Sequence, residues 1–276
     1  MNQFLPSRYV EIVHRLALGI EPVDALQDRR LSHQLQVAYD AAQLGLPRPP
    51  IERHDSNLFA LRYQPGVETQ LNLRFFDSAE RLYKPERDRR RIVPRRLRVP
   101  VLTLADVEFQ EKTDRKAFRR RIRRPAFFPG AAYDFSRTTT GLRCRVMRNG
   151  KPMRWARVAA TLEGGPIVVG HAHGDDRGEF VLLITPPAAT AGALPKPLRI
   201  NVKVSGPAAA PTPNPPDLPA LDPLWDLPIE ILANPGDDDP VATGRVLPTN
   251  YTASVERLIE FPLGECLSDE PDFEIT

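Results

Sequence analysis

An all-β fold of two related β-sandwiches is what this sequence predicts, and three observations predict it. Proline is about twice as frequent as usual, 30 of 276 residues, and at that density it breaks helices and is kept out of central strands. Short runs alternate apolar and polar residues at a period of two, the mark of strands with one buried face. A turn-and-strand segment near His54 returns near Asp175, 121 residues further on. An apolar fraction of 41% is enough to fill a core, which argues against wholesale disorder.

Taken in order, the first half opens on a strand-like run, "RYVEIV" (8–13). Between Ala25 and Leu46 two patterns fit. Leu31, Leu35, Ala38 and Ala42 share one helical face, while Leu35, Val37 and Tyr39 alternate as in a strand. "HDSNLFALRYQPG" from His54 reads as a turn feeding a strand, and "QLNLRF" follows with Leu71, Leu73 and Phe75 on one side. In the second half, Leu142, Cys144 and Val146 alternate with Arg143 and Arg145, and Asn149–Gly150 is a hairpin signal. Val158, Ala160 and Leu162 then read as its return strand.

"GHAHGDDRGEFVLLI" (170–184) reads as a turn that feeds a strand containing Phe180, Val181 and Ile184, with Pro186 and Pro187 to end it. "LRINVKV" places Leu198, Ile200, Val202 and Val204 on one face. Sliding by 121 sets Asp55 on Asp176, Phe59 on Phe180, Leu61 on Leu182, Tyr63 on Ile184 and Pro65 on Pro186, which reads as an internal duplication. The proline-rich stretch 206–240 favours extended backbone. Leu221, Leu224, Trp225, Ile229 and Ile231 make it too apolar for a free linker, so it is expected to lie along a groove of this chain or of a neighbour. "SVERLIEFPLG" adds one more strand before an acidic end. The division expected is a sandwich over 1–135, a second over 136–207, and an arm with an acidic segment over 208–276. Such an arm would be separable, leaving both sandwiches folded when the chain is cut after Leu221.

The second half resembles the carboxypeptidase regulatory-like domain, a transthyretin-like β-sandwich. The matching elements are a G-x-P hairpin (Gly150–Pro152), an A-x-V strand (Ala156–Val158) and D-x-x-G-x-F at Asp175, Gly178 and Phe180. The likeness covers Thr140 to Val204, about a quarter of the chain, and reaches the first half only through the repeat. It implies an Ig-/transthyretin-like all-β fold and an accessory, adhesive or structural role, with no peptidase zinc residues. Trp155 departs from the pattern, because the family has a small residue there, often glycine. The ending, "LPTNY…FPLG…PDFEIT", resembles accessory proteins of phage-tail-like contractile injection particles.

Motifs for chemistry are missing: no nucleophile elbow, phosphate loop, dinucleotide fingerprint or zinc-peptidase helix is present. No catalytic, cofactor or metal residue is therefore assigned. His171 and His173 share a strand face, and Asp175 or His54 would complete a zinc-like set, but exposed histidines before an Asp-Gly turn are the simpler reading. Cys144 and Cys266 form no disulfide framework. With no secretory signal and no apolar run long enough to span a bilayer, a reduced, cytoplasmic chain is expected.

Charge is the sharper clue. From Asp222 onward 13 acidic residues meet two arginines, a net −11, so the preceding 221 residues carry +14. Positive charge is densest between Lys84 and Arg124. The residues expected to contact partners are Arg89, Arg90, Arg91, Arg95, Arg96, Arg119, Arg120 and Arg121, with Trp225, Phe261 and Phe273 as anchors on the arm and tail. The function expected is non-enzymatic: a structural subunit that meets other subunits of an assembly, or its own copies by basic face against acidic tail. The alternative is a nucleic-acid binder that grips phosphate with these arginines and stacks bases on Phe118, Phe127 and Phe128.

Overall fold

The structure, a computed structural model, describes residues 15–40, 48–78, 83–114, 116–136, 138–185, 197–233 and 239–276. The chain is mostly sheet, 40% strand against 9% helix, in several sheets with no barrel. The expected opening strand at 8–13 and Pro186–Pro187 lie outside the described residues.

The first half contains β1 (Leu16–Ile20), β2 (Val23–Asp24), β3 (Arg29–Arg30), β4 (Gln36–Tyr39), β5 (Glu52–Arg53), β6 (Phe59–Arg62), β7 (Gln70–Phe76) and β8 (Arg95–Pro100). A ten-residue helix α1 (Leu104–Thr113), a 3-10 turn (Ala117–Arg121), β9 (Ile122–Arg123) and β10 (Ala126–Phe127) follow. Of the two patterns possible near residue 36, the described part is strand, with Leu35 fully buried beside it. One sheet runs β5-β6-β1-β9 and another β4-β7-β8. Leu18, Ile20, Phe59 and Leu61 from the first and Leu71, Leu73, Phe75, Leu97 and Val99 from the second enter one core. The alternation that marks these strands is therefore the alternation of core and solvent.

The second half contains β11 (Gly141–Arg148), β12 (Lys151–Pro152), β13 (Arg157–Leu162), β14 (Val168–His173), β15 (Glu179–Leu183) and β16 (Leu198–Gly206). A short helix α2 (Leu218–Leu221), β17 (Ile229–Ile231), β18 (Ala253–Phe261), β19 (Cys266–Leu267) and β20 (Phe273–Glu274) complete it. Strands β12-β11-β15, with β19 and β20 also on β11, form one sheet, and β14-β13-β16-β18 the other. Their inward side chains, from Leu142 and Phe180 to Val158, Ile200 and Phe261, share a second core.

The expected hairpin needs correction. Asn149 and Gly150 do turn with positive φ, 51° and 70°, but the strand that returns is only the two-residue β12. Val158, Ala160 and Leu162 sit on β13, which pairs with β14 and β16 in the opposite sheet. The crossing passes through Trp155, whose φ of 63° lies in the region that favours glycine. The position where the resembling family prefers glycine is thus one that asks for left-handed backbone, and here an indole occupies it.

The turns at His54 and Asp175 share backbone geometry. At His54 the turn bonds are His54 N–H to the Leu58 carbonyl (2.8 Å) and Asn57 N–H to the His54 carbonyl (3.0 Å). At the same offset, Asp175 N–H donates to the Glu179 carbonyl (2.8 Å) and Gly178 N–H to the Asp175 carbonyl (3.2 Å). Asn57 and Gly178 both have positive φ. Each turn feeds a strand that pairs antiparallel with the first described strand of its half, Ile20 opposite Phe59 and Cys144 opposite Phe180.

The arm does not stand apart. β17 pairs parallel with β8, Leu232 and Ala242 enter the first core, and β18 pairs with β16 from Leu198↔Phe261 to Gly206↔Ala253. A third cluster joins Phe76 and Val93 of the first half, Trp155 of the second, and Leu224 and Leu227 of the arm. The two halves are therefore packed together with the arm between them. A separable arm is overturned by Leu224, Leu227, Leu232 and Ala242, which are buried in cis, although Leu221 and Ile231 stay exposed.

Candidate interaction site

The arginine-rich segment is divided by the strands it occupies. On β8 successive side chains alternate, so Arg95 points inward and is fully buried. Its guanidinium donates to Glu230 of β17 (Nη2 to Oε2 2.6 Å, Nε to Oε1 3.1 Å) and to the carbonyls of Ala126, Val241 and Ala242. Arg157 of β13 donates from Nη2 to the same carboxylate, at Oε1 (3.1 Å). One buried glutamate thus holds both halves through two guanidiniums. Burial alone would raise the Glu230 carboxyl, but Arg95 and Arg157 outweigh it and hold it below its ordinary value. Nothing in the sequence analysis singled out Glu230. Its signal was a lone acid inside the apolar strand "IEI", where alternation aims it at the core.

Arg96 faces the other way, pairing with Asp40 and donating to the Leu227 carbonyl. Arg90 spans the halves to Asp176 (3.1 Å) and Asp175 (3.5 Å). Arg91 is half-buried against His33 (3.3 Å), and Arg121 is buried on Glu111 (2.7 Å). Only Arg89, Arg119 and Arg120 of the eight are exposed. The eight arginines therefore make no single basic face, since five of them are turned to partners within the chain.

The anchors are divided as well. Phe261 and Phe273 are 0% and 1% exposed in the second core, so these two rings have no surface to offer a partner. Trp225 is half-buried on the wall of a groove. The acidic segment also finds its cations in cis: Asp222 on Arg74 (2.6 Å), Asp226 on Arg154 (3.0 Å) and Asp272 on Arg145 (2.7 Å). None of the ion pairs seen carries an acid of this segment to Arg119 or Arg120.

What stays exposed is a shelf made by α1 and the 3-10 turn after it. Thr103 caps α1, its hydroxyl accepting from the Asp106 N–H (3.1 Å) while the Asp106 carboxylate accepts from the Thr103 N–H. The helix buries only Val107. Phe109 is 70% and Phe118 44% exposed, with Lys112, Lys116, Arg119 and Arg120 exposed around them. Helix α1 was not anticipated, although the Thr-x-x-Asp box at Thr103–Asp106 is a start signal.

The histidine His173 is not where the sequence reading put it. His173 is 1% exposed, not at the surface as expected. Its Nε2 bonds the Gly244 carbonyl (2.7 Å) and its ring stacks on Phe128 at 4.1 Å, while burial holds it well below its ordinary pKa. Asp175 is a turn residue, its Oδ1 accepting from the Arg177 and Glu179 N–H groups (2.8 and 3.0 Å). Among the described residues no group of three His, Cys, Asp or Glu is placed to hold a metal ion, and no helix is long and apolar enough to cross a membrane.

Asp88 is a titrating group beside Arg90, the residue that spans the halves. It accepts from the Arg90 N–H (2.9 Å) and the Tyr83 hydroxyl (3.0 Å), and burial pushes its pKa up to about 6. A carboxyl raised on folding gives stability that is full below the ordinary aspartate value and is lost as pH rises through about 6. Asp88→Asn is therefore expected to become more stable relative to wild type as pH rises from about 4 to about 7. Urea midpoints across that range check it, and a pH-independent difference would reject it.

Comparison of the chain with protein-family models, curated proteins and solved structures found no match in any of the three.

Proposed function

We propose that this chain is a non-enzymatic structural subunit of a larger multiprotein assembly, docking through the α1 shelf. In this reading the two halves are related transthyretin-like sandwiches and the arm is the clasp between them. The observation that carries it is the exposure of Phe109 on α1 and of Phe118 on the 3-10 turn after it. Solvated rings rimmed by charge are what a docking site presents, since aromatic anchors supply most of the energy of an interface. A protein partner suits the shelf better than nucleic acid, because Glu108, Glu111 and Asp114 stand on the same helix and its edge and would repel phosphate. The likeness of the chain's ending suggests a phage-tail-like contractile particle as the kind of assembly.

The test is sedimentation of the tagged chain from its native host, with mass spectrometry of what travels with it. Wild type is expected in a megadalton particle with defined partner chains. Phe109→Ser/Phe118→Ser is expected in the small free fraction with an unchanged melting temperature, because neither ring is part of a core. Wild type recovered only as a small free species would end the proposal. Retention on heparin that falls steeply with salt would move the shelf to the nucleic-acid alternative.

A further inference from the structure

A groove of about 560 Å³ opens between the β11–β12 turn, the arm and Tyr251, far larger than a packing defect and within the range of ligand pockets. Both tryptophans of the chain, Trp155 and Trp225, line it, together with Met153, Pro152, Pro211 and Pro228. Trp155 and Tyr251 are fixed there: the Trp155 indole N–H donates to Asp226 (2.8 Å), and the Tyr251 hydroxyl donates to the Trp155 carbonyl (2.8 Å).

Arg148, on the groove wall, is different. It is 8% exposed and donates from Nη2 to the Pro207 carbonyl (2.7 Å). Among the described residues its Nε and Nη1 are buried with no acceptor, and no carboxylate there pairs with it. The buried Trp225 indole N–H is also without an acceptor. Buried donors left unmatched are costly, and a buried guanidinium without a counter-charge more so. Asp226, the acid that lines the groove, already serves Trp155 and Arg154.

We propose that the groove binds an organic monocarboxylate with an apolar, ring-bearing body, whose carboxylate is received by Arg148 and the Trp225 N–H. The prolines and indoles supply flat apolar walls for the body. Arg154 and Lys151 also line the groove, but Arg154 is paired with Asp226 and Lys151 is exposed. The one buried guanidinium left without a carboxylate and one neutral donor suit a single negative charge, and a charge-assisted bond to a guanidinium is the strong kind. A small free acid and the C-terminal residue of a peptide share this chemistry.

Since Trp155 and Trp225 are the chain's two tryptophans and both line the groove, intrinsic fluorescence reads the site directly. The whole chain is titrated with indole-3-propionate and cyclohexanecarboxylate, each against its amide, and with acetylated tetrapeptides ending in Leu, Phe, Trp or Pro, each as free acid and amide. Indole-bearing probes are read by calorimetry instead. At least one free acid is expected to bind with Kd below about 1 mM, and its amide at least about tenfold more weakly. Small acids alone binding would assign a metabolite site, and peptide acids alone a C-terminus reader. Arg148→Met is expected to abolish the preference for acid over amide. The acid–amide comparison on wild type stands even where that variant folds poorly. No free acid saturating by about 5 mM, or acids and amides binding alike, would overturn the proposal.

Discussion

A chain ended after Leu221 is expected to lose the cooperative fold of both halves rather than shed a tail. Strand β18 would leave the edge of β16, where it pairs from Leu198↔Phe261 to Gly206↔Ala253. The cores would lose Leu224, Leu227, Leu232, Ile259, Phe261, Phe273 and Ile275, all buried. At about 1.5–3 kcal/mol for each such side chain, the loss is on the order of 10–20 kcal/mol. A whole domain is stable by only about 5–15 kcal/mol. The cut would also strand the Arg95 and Arg157 guanidiniums without Glu230 and leave β16 as an open apolar edge that invites aggregation. Near-UV circular dichroism and a urea transition decide it. A truncated chain that keeps a cooperative transition would show that the arm contributes little to stability.

That expectation reverses the separable arm, and of the two grooves its apolar residues left open, this chain's own or a neighbour's, the arm takes this chain's. Proline bars regular helix and central strand, but it does not bar an extended segment from burying every other side chain. Ile229–Ile231 is such a segment, three residues laid parallel to β8. Period-two alternation made β7, β8 and β16 legible, because a half-buried strand cannot hide its period. The turn at Asp175 was legible because Gly178 needs φ of 74°, and the similar turn at Asn57 because asparagine tolerates the same backbone. Partners across sheets were not legible. Whether Val158 returns beside β11 or crosses to face it depends on one residue, Trp155, whose left-handed backbone sequence patterning does not foresee. The arginines were misread as one face for a related reason. Charge counts along a chain ignore that neighbouring residues of β8 point to opposite sides, so Arg95 meets Glu230 while Arg96 meets Asp40. The groove was invisible because Arg148, Trp155, Trp225 and Tyr251 come from separated stretches with no shared motif.

Glu230→Gln is expected to destabilise the chain by about 3–5 kcal/mol, the cost of leaving buried charge without its partner. Glutamine keeps the shape and one acceptor, so packing is nearly unchanged and what is lost is the negative charge between two buried guanidiniums. The pH dependence separates this from a packing defect. Because the folded pKa of Glu230 is depressed, its contribution is present above the ordinary glutamate value and is lost as pH falls through the folded one. Wild type should therefore weaken on acidification by this route, while Glu230→Gln lacks that part of the slope, and the two should converge at low pH. Urea midpoints at about pH 7 and about pH 3.5 measure both quantities. A loss below about 1 kcal/mol at neutral pH, or an equal gap at both pH values, would mean that Glu230 does not clamp the halves by charge. Replacing Arg95, Glu230 and Arg157 together by apolar residues is expected to cost less than Glu230→Gln alone, because removing the whole set leaves no charge buried without a partner. That ordering is expected where buried charge dominates over the backbone bonds that Arg95 makes to Ala126, Val241 and Ala242. A site whose side chains merely packed would lose more with every replacement.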